Sequence, residues 1–424
     1  MRVHKKKRIS DIFRLACLSI TAALLCCSCA ELYTQPVVIW TNSSEFAAYA
    51  ELFNAQQHKA RAVVMYKENP AESLRSGRHE SAPDIVAGSW LNNDQVRSVF
   101  MPIDYLFTDR LIDAESFYPC LREAGKSGDH YYLLPVSFNL PAVIFAKTNS
   151  SLIAHNYMLS LNQIRAAGAQ YNRQNDSSAY TRMGFAPRWK SEFLVLAAQI
   201  MGADFHGSRQ DIVWSQQRLD DAAAYLRSWT ADCNTSTAME EDFKFKYLYT
   251  PDNKQVTSGR CLFSYISSRD LFTMPQQERS GIDFRWICED SRIPIEDDMV
   301  FMGIHRDSRN LAAAEIFITW FMQEESQRQM MERIQSMHLE TEHFGIAGGF
   351  SALRTVTERV FPTYYTTLLA NLPPTQSFIP PQQLPFQWES FKTRVLTPYL
   401  MQAADTAAAA PSLETLVSQW ATEY

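Results

Sequence analysis

Apolar residues come in short blocks between polar ones, and their spacing alternates between strand-like and helical. Val37, Val38, Ile39 and Trp40 form a continuous apolar run closed by Thr41, Asn42, Ser43 and Ser44. That pattern reads as a buried strand running into a helix N-cap cluster. Phe46, Tyr49, Ala50 and Phe53 then recur at i, i+3, i+4 and i+7, one face of a helix. Further β-like runs follow at 62–66 and at 84–87, the latter ahead of Gly88, Ser89 and Trp90. Strand, helix, strand, loop, strand is the opening of a parallel α/β sheet.

Downstream, 131–136 and 142–146 read as a pair of extended segments around Ser137, Phe138 and Asn139. The region 155–230 is mostly helical in pattern, with Phe193, Leu196, Ala197 and Ile200 as its clearest stripe. Strand-like runs lie at 261–266 and 283–287. The segment 311–334 reads as one long helix, with Ile316, Trp320, Met330 and Met331 on one side and Glu324, Glu325, Arg328 and Glu332 on the other. A proline-rich loop spans 373–385, and a helix at 412–420 closes the chain. There is no internal repeat of fixed period.

The first thirty residues follow a different logic. Arg2, Lys5, Lys6, Lys7 and Arg8 precede an apolar run at 15–25, which stops at Cys26, Cys27, Ser28 and Cys29. The run is about half the length a membrane-spanning helix needs. Charge, short apolar core and a small-residue cysteine junction read as a secretory signal with lipid attachment. The expectation is a signal peptide at 1–28, acylation at Cys29 (alternative Cys27) and a tether at 29–36. An ordinary cleaved signal is the plainer alternative. The chain is thus expected outside the cytoplasm as a membrane-anchored lipoprotein, in the periplasm or on the cell surface.

Charge narrows the partners. Beyond residue 28 the chain carries 34 basic and 45 acidic residues, a net of about −11. Such a chain has no electrostatic footprint for nucleic acid. Cys120, Cys233, Cys261 and Cys288 stand in no metal-ligand spacing, so no metal site is expected, and disulfides or free thiols both remain open. Tyr131–Tyr132 and Tyr364–Tyr365 raise ferric iron, but strand neighbours point to opposite faces, which argues against the first pair. Asp297–Asp298 reads as a solvated turn. No nucleophile elbow, metalloprotease helix, P-loop or dinucleotide fingerprint occurs, so neither an enzyme nor a cofactor is expected.

Several segments, in order, resemble the extracellular solute-binding proteins of the maltose-binding type, which serve ABC importers. Residues 37–41 (VVIWT) resemble the family's opening strand, and Ala82, Pro83, Asp84, Ile85 and Val86 its third. Residues 101–104 (MPID), 128–135 (GDHYYLLP), 142–147 (AVIFAK), 317–329 and 345–353 (GIAGGFSAL) are similar to later family segments. Departures are Phe145–Ala146 where Tyr-Asn is usual, a missing Pro-x-Thr-Trp, and Phe350 in place of a late proline. The resemblance implies an α/β protein with two lobes and a hinged interlobe cleft. Lobe 1 is expected from 37–145 plus about 300–345, and lobe 2 from about 148–297 plus 347–424. It further implies a monomer that captures a small polar solute, most readily a sugar or oligosaccharide, and hands it to an ABC permease. A two-lobe surface interaction lipoprotein uncoupled from transport is the alternative.

Candidate ligand contacts follow from strand ends and aromatic types. Trp40, Thr41, Asn42 and Ser43 end the first strand, and Ser89 and Trp90 follow the third, where an indole can stack on a sugar face. Asn139 precedes the hinge and can both donate to and accept from hydroxyls. Trp189 and Tyr265 are candidate contributors from the second lobe, and Gly349 from the late loop.

Overall fold

In the computed structural model, residues 35–76, 81–154, 156–208, 211–380, 383–409 and 412–423 are described. The signal peptide, Cys27, Cys29 and nearly all of the tether lie outside them. The chain enters through β1 (Val37–Thr41), α1 (Glu45–Gln56), β2 (Ala62–Tyr66), α2 (Pro70–Ser76) and β3 (Ile85–Ser89). It continues through β4 (Leu134–Phe138), β5 (Pro141–Ala146), β6 (Met158–Ser160) and α3 (Ser191–Ile200). Then come β7 (Ser264–Ser267), α4 (Ser268–Thr273), β8 (Ile282–Cys288), β9 (Val300–Ile304), α5 (Leu311–Phe321) and α6 (Glu324–Ser336). Strand β10 (Phe350–Ser351) and α7 (Leu413–Glu423) complete the elements used below.

Two sheets divide the strands. The first has the order β10-β4-β9-β3-β1-β2, and the second β7-β5-β8-β6. Strands β1, β2 and β3 are mutually parallel, as the opening pattern requires, whereas β9 runs antiparallel to β3 and β4. The helical stripe on α1 is fully buried, Phe46 stacking on Phe321 (5.5 Å) and Phe53 meeting Phe317 edge-on (5.1 Å). Asp84 fastens this lobe: Ser308 Oγ and the backbone N–H groups of Arg309 and Asn310 donate to its Oδ1, and Val38 N–H donates to its Oδ2. One carboxylate thus joins the strand-end turn, β1 and the entry to α5.

Three expectations change. Strands β4 and β5 are not partners, because the first pairs with β9 and β10 and the second with β7 and β8. The two residues between them, Asn139 and Leu140, are instead a crossing from one sheet to the other. The single helix expected over 311–334 is two, separated at Met322 and Gln323, where Gln323 takes an extended backbone. Lobe 2 was expected to resume at 347, but Phe350 pairs with Phe138 and Ser351 with Ser137, which keeps this segment on the first sheet. All four described cysteines are free thiols.

The chain crosses between the sheets three times, at 139–140, 289–299 and about 378–386, and these crossings lie side by side. Ile293 and Pro294 pair in parallel with Phe378 and Ile379. Asn139 O accepts from Glu296 N–H at 3.0 Å. The buried Asn139 amide donates to Asp298 Oδ2 (3.3 Å) and Gly348 O (3.1 Å) and accepts from Ser268 Oγ (2.7 Å). Removing such a buried group leaves its partners unsatisfied at a cost of about 1–3 kcal/mol. Asn139→Ala should therefore lower the urea midpoint by that equivalent. Asn139→Asp, which sets a second carboxylate against Asp298, should lower it further.

Candidate functional site

The second sheet carries a cavity of about 840 Å3, within the range of small-molecule sites. Its walls come from the start of α3 (Ser191, Glu192, Val195), the edge strand β7 (Ser264, Tyr265, Ile266, Ser267) and the short helices that carry Asn253 and Glu278. Lys392 and Thr393 close another side, and Glu296, Asp297 and Asp298 of the second crossing line it as well. No residue of β1–β4, α1 or α2 contributes. The cavity is a second-lobe surface that ends at the hinge.

The acidic crossing was read as a solvated turn, and the structure corrects that. Tyr265 Oη donates to Glu296 Oε1 at 3.1 Å. Asp297 accepts from Trp388 Nε1 and from Lys392 Nζ (2.7 Å). Asp298 pairs with Arg269 (3.0 Å) and accepts from Asn139, while Ser89 Oγ donates to its backbone carbonyl (2.9 Å). Burial, reinforced by the charge of Asp298, holds the Glu296 carboxyl well above the usual range. Burial also raises Asp298, against the opposing pull of Arg269. For Lys392, burial works to lower the pKa, but Asp297 outweighs it and the ammonium is held charged.

Of the residues singled out from sequence, Tyr265 lines this cavity. Asn139 sits directly behind it, with its polar atoms taken by the hinge. Ser89 is 8% exposed and also serves the hinge through Asp298. Trp40 and Thr41 are buried in the first-lobe core, the Lys67 ammonium lying 4.6 Å from the Trp40 ring and Thr41 Oγ1 accepting from Ser43 N–H. Ser43 Oγ donates to Glu45. Asn42 is half-buried beside Gly88, where any Cβ would come within 2.8 Å of its Oδ1, so this glycine exists to seat the Asn42 side chain. Gly349 packs against β4, its Cβ position lying 2.7 Å from Phe138 O, and is a backbone contact rather than a ligand surface.

The two remaining tryptophans are engaged by protein. Trp189 Nε1 donates to Glu240 O (3.3 Å), and its ring stacks on Phe243 at 5.7 Å. Trp90 holds a left-handed backbone (φ 58°) at the end of β3. A crevice of only about 20 Å3 remains beside it, walled by Asp297, Met299, Phe301, Leu384 and Pro385. The same segment ties the lobes elsewhere: Gln383 Nε2 donates to Asp94 Oδ1, and the Arg75 guanidinium lies 4.5 Å from the Phe386 ring. The aromatic surface expected to stack on a sugar at Trp90 is partly covered by the chain itself.

Sequence reasoning missed Glu296, Lys392 and Glu192. The run Glu296–Asp297–Asp298 directly before a buried strand was the available signal, since three acids at a strand entrance need partners. Lys392 and Glu192 carried none.

Comparison with solved structures places this architecture. The chain superposes over 92% of its length on 98% of the cyclic α-maltosyl-1,6-maltose binding protein of Arthrobacter globiformis (TM-score 0.59, 15% identity). It matches 97% of an ABC substrate-binding protein of Listeria monocytogenes in complex with cycloalternan over 91% of its own length (TM-score 0.59, 13% identity). It matches 99% of the maltose–maltodextrin binding protein of Alicyclobacillus acidocaldarius over 92% (TM-score 0.56, 13% identity). Its fold is the maltose-binding one. No protein-family model matches the sequence, and no curated protein does. In this maltose-binding fold the cavity sits on one lobe, beside the crossing strands. Among the described residues no cluster of metal-ligating side chains occurs, and no helix is long and apolar enough to cross a membrane.

Glu240, beneath Trp189, gives the second lobe a pH signature. It is 1% exposed, Asn234 Nδ2 donates to one oxygen (2.7 Å), and the other has no partner. Burial raises its pKa from 4.5 to about 7. The native state therefore holds a proton that the unfolded chain releases above pH 4.5. The stabilising contribution is complete below pH 4.5 and is lost as pH climbs to 7, a change of about 3 kcal/mol. The urea midpoint should rise on acidification from pH 7 to 5, and Glu240→Gln should flatten that rise.

Proposed function

We propose that this chain is an extracytoplasmic solute-binding protein that captures a small polyhydroxylated solute, a sugar or oligosaccharide, by interlobe closure and delivers it to an ABC importer. In this reading Cys29, or Cys27, carries the acyl anchor that keeps the protein at the membrane. The observation that carries the proposal is the cavity beside the crossing 296–298, where a bound solute and the hinge share the same carboxylates. A ligand that touches the crossing changes the relative free energy of open and closed lobes, and that difference is what a transporter can sense. The similar structures support the solute class, since their names specify maltodextrin, cycloalternan and a cyclic maltosyl sugar as ligands. The polar cavity wall of Ser191, Ser264, Ser267, Thr393, Asn253 and Gln199 supplies hydroxyl and amide partners of the kind a sugar needs.

One observation favours a second reading, a two-lobe surface protein uncoupled from transport. The segment 383–386 joins the lobes through Asp94, Trp90 and Arg75 with no solute involved.

A thermal-shift screen of the mature chain against mono- and oligosaccharides separates the two. A ligand at about 100 times its Kd adds about 2.7 kcal/mol, a rise of several degrees in Tm. A flat response to every saccharide would instead support the surface-protein reading. For the anchor, radiolabelled palmitate should enter the wild-type chain and be lost from Cys29→Ala. Retention there with loss from Cys27→Ala moves the site to Cys27.

A further inference from the structure

The cavity has many carboxylates and little aromatic surface. Its lining includes seven carboxylates, from Glu192, Asp252, Asp270, Glu278 and the run 296–298, but only two lysines, Lys190 and Lys392. Both lysines are already paired, Lys190 with Asp252 (2.7 Å) and Lys392 with Asp297 (2.7 Å), and Arg269 reaches Asp298. Glu192, Asp270, Glu278 and Glu296 have no ion-pair partner among the described residues. Asp298 Oδ1 adds a buried acceptor that no donor reaches. Tyr265 is the one aromatic residue in the lining, and at 9% exposure it offers no open ring face on which a neutral pyranose could stack.

We propose that the solute held here is cationic, an amine-bearing saccharide whose ammonium groups sit among the carboxylates left without ion pairs, with its hydroxyls on the serine and threonine rim. The inference rests on the proposed function and names the ligand chemistry of that same site. Carboxylate oxygens only accept hydrogen bonds, whereas an ammonium supplies three donors and the missing charge. A neutral solute would strip water from Glu192, Asp270 and Glu278 and return no charge, which is unfavourable. A cationic one turns the same burial into attraction. The hydroxyl-rich rim distinguishes a saccharide from a bare polyamine.

Binding should also release a proton. Glu296 is faced by Tyr265 on β7, Arg269 on α4, Lys392, and Asp297 and Asp298 on its own segment. Burial among these groups keeps it protonated in the empty cavity, and an arriving ammonium favours its ionised form.

The test is calorimetry on the mature chain with glucosamine trisaccharide, its N-acetylated counterpart, maltotriose and spermidine, repeated in two buffers of different ionisation enthalpy. The glucosamine trimer is expected to bind at least about tenfold more tightly than either neutral trimer, a ratio that shrinks in 0.5 M salt as charges are screened. Its apparent heat should differ between the buffers. Glu278→Gln and Glu296→Gln should each weaken the amine ligand about five- to thirtyfold, a larger loss than either causes for the neutral trimers. Neutral trimers that match or exceed the amine overturn the charge assignment while leaving the proposed function in place. Spermidine binding as tightly as the amino sugar overturns the saccharide assignment. Silence from every saccharide sinks the proposed function, and this inference with it.

Discussion

A buried amide and a buried carboxylate hold the two lobes of this protein in register. Asn139 occupies the first crossing, Asp298 the second, and Gly348 the loop that leads into β10; one side chain bonds to the other two segments. Arg269 repeats the arrangement from the second lobe, donating to Gly348 O (2.9 Å) and pairing with Asp298. Buried polar groups bonded to several segments at once specify one geometry, because few alternatives satisfy so many of them together. The crossing strands therefore form a defined joint and not a loose linker. The same carboxylate run that makes the joint also floors the cavity.

Apolar packing sets the other half of the constraint. Phe272 of α4 stacks on Phe344 (4.9 Å) and meets Phe350 (5.9 Å), while Trp286 of β8 also meets Phe350 (6.0 Å). Phe361 and Tyr365 complete the cluster. These rings come from both lobes and form one continuous core with the first sheet. Separating them would expose several large side chains, each worth about 1.5–3 kcal/mol when buried. The cluster therefore binds the two lobes to each other by apolar packing as well as by the polar joint.

The sequence made the framework legible because burial imposes periodicity. The stripe Phe46, Tyr49, Ala50 and Phe53 and the run 37–40 each answer to a single apolar neighbour layer, so spacing alone located them. The break between α5 and α6 was hidden because no proline or glycine marks it, and the helix ends there by backbone geometry. Asn139 was placed next to the hinge, but the strands on either side of it were read as a pair, since two adjacent apolar strands look the same whether they pair with each other or with different sheets. The site was least legible. Trp40, Trp90 and Trp189 were chosen as flat, exposed rings, yet an indole has enough surface to be drawn into whichever apolar contact lies nearest. Asp297 and Asp298 were dismissed because adjacent carboxylates usually seek water, and the partners that hold them lie far along the chain, Lys392 95 residues from Asp297 and Arg269 29 residues from Asp298.

Trp90 shows how these constraints meet. Its left-handed backbone costs about 1–3 kcal/mol and persists only where neighbours impose it. Here the imposing neighbours include Leu384 and Pro385, which arrive from the third crossing. That contact removes apolar surface from water in the present lobe arrangement. The four carboxylates without ion pairs lie apart from it, on the cavity wall of the second lobe. Apolar contact thus holds the lobes together at Trp90, while the wall beside the second crossing keeps an excess of negative groups.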